Sequence, residues 1–212
     1  MSAATLGDIR DRGERRSARC LTAYDRHVSE AIAFISFDSF VEEEQSSERR
    51  HELVGGRVYA MAGGSEPHDL AAGLLYELLA PGARSAGCRP FTANRLVRTR
   101  GGNAYYPDVM VVCGPAAHRL YEADPEVLIE VLSASTADQD RREKAVAYAE
   151  STSLALLALV DPNLRRIEVA RPVDGAIRGW TVYGPGDVIS SPFGDIDVDA
   201  LYDVIDQTAT TA

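Results

Sequence analysis

Two carboxylates set into apolar runs are the residues of this sequence best suited to chemistry. Asp108 opens the run Asp108-Val109-Met110-Val111-Val112-Cys113 directly after Pro107, and Glu130 interrupts another between Ile129 and Val131. An ionised carboxylate inside such a run is costly unless it is paired or bound to a metal. On adjacent central strands, two of them could share a hard divalent cation. Mg²⁺ commonly takes one or two carboxylates, keeps several waters and leaves room for phosphate oxygens. Asp108 and Glu130 are therefore the candidate metal ligands, for Mg²⁺ or alternatively Mn²⁺.

A cation stands near them in sequence. Of the 22 basic side chains, Lys144 alone is a lysine, and it follows Glu130 on the helix expected next. Arg is a planar fork that stays protonated, whereas Lys is a compact ammonium on a flexible stem. From about two turns into that helix, Lys144 could return its ammonium to the sheet edge, to position water or steady charge developing at phosphorus. Glu52, at the start of a predicted hairpin, completes a candidate catalytic set of Glu52, Asp108, Glu130 and Lys144. Each residue has a structural alternative. Asp108 could simply open a strand, Glu130 could pair with a buried arginine, and Glu52 and Lys144 could be solvated. His68 reads as a helix cap or surface residue. Arg141 and Arg142 either contact phosphates or pair with Asp138 and Glu143. The pairs Gly63-Gly64 and Gly101-Gly102 lack the setting of a phosphate loop and read as turns.

The elements that must position these groups follow from periodicity and punctuation. Residues 1–33 carry five arginines between Arg10 and Arg19 among acids and small residues, and read as a charged, flexible arm. A domain spanning 34–206 begins with a short helix through Phe37, Phe40 and Val41. His51 to Met61 forms a hairpin around Gly55-Gly56. Pro67 to Leu79 has helical spacing and is expected to stop at Pro81-Gly82. Strands follow at 89–100, 108–113 and 126–132, then a helix at 138–150 with Ser135 or Thr136 near its cap, then a buried strand at 154–160. That last strand, helix and strand suit a right-handed parallel crossover. The final fifty residues, with segments at 166–170, 179–183 and 195–201, read as a β-meander with a closing turn. The fold class is α/β, of the α+β kind: helix, three strands, helix and strand forming one mixed sheet flanked by helices.

Composition excludes several classes. The 212 residues are 45% hydrophobic, enough for one domain with a real core. A formal net charge of -10 supplies no global attraction for nucleic acid, so any such contact must be local. No apolar run reaches the length of a membrane span and the first residues lack a signal-peptide pattern, so a cytoplasmic protein without membrane contact is expected. Cys20, Cys88 and Cys113 are odd in number and far apart. They argue against a disulfide framework or a zinc site, and suit a reducing cytosol.

Taken in order, Glu52-Leu53-Val54-Gly55-Gly56-Arg57-Val58, Met61 with His68, Tyr106-Pro107-Asp108-Val109, Glu130-Val131-Leu132-Ser133, Asp140 with Lys144 and Tyr148, and Val160-Asp161-Pro162 resemble the Uma2 family. That family is restriction-endonuclease-like and belongs to the PD-(D/E)XK nuclease superfamily. The resemblance runs from about Phe37 to Asp203. It implies an αβββαβ core, in agreement with the element order above, and a Mg²⁺-dependent site for hydrolysing DNA phosphodiesters with Asp108 and Glu130 as the motif acids. The usual lysine two residues after the glutamate is Leu132 here, and Lys144 on the following helix takes its place. Glu52 matches the upstream acid. Two departures are mild: Ala134 stands where the family has proline, and the strand after the helix lacks aromatics. A homo-oligomer, expected as a dimer, is the assembly in view. The alternative is a catalytically silent relative that binds nucleic acid or oligomerises on the same fold.

Overall fold

A computed structural model describes residues 34–61, 63–133 and 140–209. The expected N-terminal arm, the candidate caps Ser135 and Thr136, and Asp138 lie outside them. Helix α1 (Phe37–Glu44) starts at Ser36, whose hydroxyl accepts from the Ser39 amide at 3.2 Å, and buries Phe37, Phe40 and Val41. Strands β1 (His51–Val54) and β2 (Arg57–Ala60) form the predicted hairpin, with Gly55 and Gly56 at φ 54 and 78° in its turn.

Helix α2 (Glu66–Ser85) buries Ala71, Leu75, Leu79 and Ala83 along one face. It does not stop at Pro81. Pro81 and Glu77 lie on the exposed side, so the carbonyl deprived of its donor is open to water, while Leu79, Ala80 and Ala83 keep the last turns on the core. Gly82 serves packing instead of termination, because a side-chain carbon there would collide with the Phe193 carbonyl.

Two sheets replace the single one expected. The larger is ordered β11 (Thr181–Tyr183), β10 (Arg166–Ala170), β9 (Leu156–Asp161), β8 (Val127–Val131), β6 (Val109–Val112) and β3 (Arg89–Thr92). The smaller is ordered β2, β1, β5 (Ala104–Tyr105), β4 (Leu96–Arg98) and β7 (Tyr121–Glu122). The run read as one strand from 89 to 100 is thus two, β3 and β4, parted by a turn at 93–95 and placed in different sheets. As expected, β8 and β9 pair in parallel, joined through a π-helical turn (Asp140–Lys144) and helix α3 (Ala145–Ala149). Strands β12 (Val188–Ser191) and β13 (Gly194–Asp197) form a separate hairpin. The strand expected through 201 gives way at Val198 to helix α4 (Val198–Ala209), because Val198, Leu201, Tyr202 and Ile205 recur at helical spacing and are all buried.

Side chains alternate across the larger sheet. Val109, Val111, Ile129, Val131, Leu156 and Ala158 pack with α2 and α4 on one face. Met110, Val112, Leu128 and Leu157 face the other way, toward Ala145 and Tyr148 of α3 and Val97 and Tyr105 of the smaller sheet. Full burial of a side chain such as Leu156 or Leu157 contributes roughly 1.5–3 kcal/mol. By the same alternation, Asp108 and Glu130 belong to the second face, at the seam between the two sheets.

The cysteine reading is corrected. The antiparallel register of β3 with β6 pairs Arg89 with Val112, so the next positions outward, Cys88 and Cys113, stand opposite each other and form a disulfide. Twenty-five residues apart in sequence, they are neighbours across a strand pair. Among the described residues, no helix is long and apolar enough to cross a membrane.

Candidate active site

The pairing of β6 with β8 sets Val109 against Ile129; one step further puts Asp108 against Glu130. The two carboxylates are therefore cross-strand neighbours on one face, as adjacent strands require. Asp108 is fixed by its surroundings: its Oδ2 accepts from the Val131 amide at 2.7 Å and lies 3.3 Å from His68 Nε2. Its Oδ1 has no partner among the described residues.

Lys144 comes to the same place. Its Nζ lies 2.9 Å from Glu52 Oε1 and 3.5 Å from Glu130 Oε1, and only 6% of the residue is exposed. The local cause is the π-helical turn that ends at Lys144. It feeds α3 so that Lys144 and Tyr148, four residues apart, address β8 together. Tyr148 donates its hydroxyl to Glu130 Oε1 at 2.6 Å and packs edge-on against Tyr105, with ring centroids 5.3 Å apart. Burial, reinforced by Glu130, pushes the Tyr148 hydroxyl well above its ordinary range, so it stays a neutral donor. Glu52 arrives from the smaller sheet, on the face of β1 that also carries Val54 toward the α3 cluster. All four predicted residues line one cleft of about 580 Å³.

His68, expected as a helix cap or surface residue, lines the cleft instead. It stands in the first turn of α2, reaches Asp108, and through Nδ1 approaches Asp69 Oδ1 at 3.1 Å. The hydrogen bond to Asp108 outweighs partial burial and raises the imidazole to about 9, so it is an imidazolium at neutral pH. Its only signal in the sequence was its pairing with Met61, and both residues line the cleft. Arg141 forks onto Glu168 at 2.8 and 3.2 Å, a partner neither reading of that arginine had named.

Another buried carboxylate lies outside the cleft and carries no signal in the sequence. Glu122, fully buried, receives Arg89 at 2.7 and 2.9 Å and Arg95 at 2.7 and 3.1 Å. This clamp joins β3 of the larger sheet to β7 of the smaller.

The donor set bears on the metal. Among the described residues, no group of three or more His, Cys, Asp or Glu side chains is placed to hold an ion. Asp108 and Glu130, neighbours across β6 and β8, are the two carboxylates that could offer oxygen ligands. That suits a hard cation that completes its shell with water and phosphate oxygens, and does not suit a closed zinc site.

Fold and site together describe a mixed-sheet domain with an acid pair and a lysine at its seam. The crystal structure of a "putative nuclease belonging to DUF820" from Anabaena variabilis superposes with a TM-score of 0.67 at 16% identity, covering 81% of this chain and 99% of that one. Residues 37–198 match the Uma2 family model, described as "Putative restriction endonuclease", and the chain belongs to that family. The uncharacterised protein slr1290 of Synechocystis sp. is 29% identical over 140 residues, or 64% of this chain and 73% of that protein.

Proposed function

We propose that this protein is a divalent-metal-dependent endonuclease that hydrolyses DNA phosphodiester bonds. The observation that carries the reading is the cross-strand pair Asp108 and Glu130 in a cleft beside Lys144, the chain's sole lysine. Asp108 and Glu130 would hold the ion. When bound, Mg²⁺ or Mn²⁺ would supply Lewis acidity at the phosphoryl group and a lowered pKa for a coordinated water.

The protein's own groups do the remaining work. Tyr148 fixes the orientation of the Glu130 carboxylate, and His68 with the Val131 amide fixes Asp108. Glu52 anchors Lys144 at the cleft wall. Held there as an ion-paired ammonium, Lys144 orients the attacking water and meets the negative charge that grows on the phosphoryl oxygens. Because the cleft is acidic, neutralisation by the cation is also a condition for a phosphate to approach.

The test is nicking of supercoiled plasmid in Mg²⁺ or Mn²⁺ by wild type, Asp108→Asn and Glu130→Gln. The reading expects metal-dependent nicking, abolished by chelator and reduced by about 100-fold or more in both variants. Folded wild type that leaves plasmid intact in both metals favours the catalytically silent alternative.

A further inference from the structure

Beside the cleft lies a smaller pocket of about 250 Å³, and the two share a wall, Tyr106. Their linings differ in sign. Four carboxylates, Glu52, Asp69, Asp108 and Glu130, line the cleft against Lys144 and His68. Three arginines, Arg50, Arg95 and Arg119, line the pocket against the single carboxylate Glu44.

Glu44 is already engaged. Its Oε1 accepts from the His51 amide at 2.9 Å and the Tyr106 hydroxyl at 3.2 Å, and its Oε2 lies 3.0 Å from His51 Nδ1. Arg95 is spent as well, on Glu122 and on the carbonyls of His118 and Arg119. Arg50 and Arg119 differ. Both are exposed, and among the described residues neither is paired with a carboxylate. Arg119 donates to the neutral Gln45 Oε1 at 2.8 Å, and the Arg50 guanidinium lies over the Tyr106 ring, 5.0 Å from its centre. Two guanidiniums with their charge uncancelled, one ring away from an acid pair, are placed to take an anion.

We propose that this pocket binds a backbone phosphate of the nucleic-acid strand, one flanking the phosphodiester held in the cleft. The assignment rests on the nuclease reading and extends it. Guanidinium forks match phosphate oxygens in geometry and charge. Such contacts set the register of a strand without reading its sequence. A chain of formal net charge -10 has no general attraction for a polyanion, so a local pair of this kind is what would hold the strand.

The test measures binding apart from cleavage. Fluorescence anisotropy of a fluorescein-labelled DNA duplex is followed over a salt series using the full chain, with Ca²⁺ in place of Mg²⁺ so that the acidic cleft stays neutralised. Wild type is compared with the double variant Arg50→Gln, Arg119→Gln and with Arg178→Gln, an exposed arginine that lines neither cavity. The proposal expects the double variant to bind about tenfold more weakly at low salt and its salt slope to fall by about 0.9, the contribution of the one phosphate the pocket holds. Arg178→Gln keeps the wild-type slope. Unchanged affinity and slope in the double variant, with wild type still nicking plasmid, overturns the phosphate pocket and leaves the nuclease standing. A wild type that neither binds nor nicks overturns both.

Discussion

Glu122 and Glu130 are both buried carboxylates in strands, and they are neutralised in opposite ways. Glu122 sits between two guanidiniums that address both of its oxygens, while Arg95 also caps the neighbouring carbonyls. Burial pushes the Glu122 carboxyl up, but Arg89 and Arg95 outweigh it and hold the group below the usual carboxylate range. Glu130 shares one ammonium with Glu52 and one hydroxyl with Tyr148, and it opens on a cleft. Planar forks saturate a carboxylate and lock two sheets together. A single point charge shared by two acids sits beside space for solvent and ligand. The arginine clamp is a joint, and the lysine cluster is the proposed site.

That contrast can be broken by mutation. The largest stability effect belongs to the clamp. Glu122→Gln leaves two guanidiniums facing a neutral amide and is expected to cost about 3 kcal/mol, lowering the melting temperature by roughly 6–12 °C. A melting temperature within a degree of wild type would show that the clamp carries no such load. Smaller, and on the other side of the comparison, Tyr148→Phe removes one hydrogen bond to a carboxylate and is expected to cost about 2 kcal/mol in urea unfolding. A loss in Tyr148→Phe larger than that of Glu122→Gln would reverse the assignment of joint and site.

The smallest effect concerns His68. In metal-free protein its ring resonances are expected to titrate at about 9, and in Asp108→Asn to fall back toward 6.5. Since the folded-state value lies above the unfolded one, the stability from this pair is fully present below pH 6.5 and is lost as pH rises through about 9. A wild-type ring that titrates near 6.5 would remove His68 from Asp108.

The same comparison shows what a sequence can reveal. Asp108 and Glu130 were legible because each breaks an apolar run, and local contrast of that kind needs no partner to be seen. Strands β6, β8 and β9 were legible for the same reason. Glu122 was not, since it lies in a two-residue strand and its partners Arg89 and Arg95 are 33 and 27 residues earlier. The disulfide was hidden likewise, because only the register of β3 on β6 brings Cys88 to Cys113. The break at 93–95 depends on which sheet each half joins, a tertiary choice. Two other features are visible in local pattern. The spacing Val198, Leu201, Tyr202, Ile205 is helical as it stands, and a proline on the exposed side of a helix with a strong apolar face need not end it. Local signals found the acids and the lysine. Non-local pairing decided what holds them.

The most direct measurement is plasmid nicking by Lys144→Ala beside Glu122→Gln, with rates taken per folded molecule at a temperature where circular dichroism shows both variants folded. The account predicts that Lys144→Ala loses activity by about 100-fold or more, while Glu122→Gln nicks at the wild-type rate despite its lower melting temperature. Wild-type nicking by folded Lys144→Ala would contradict it.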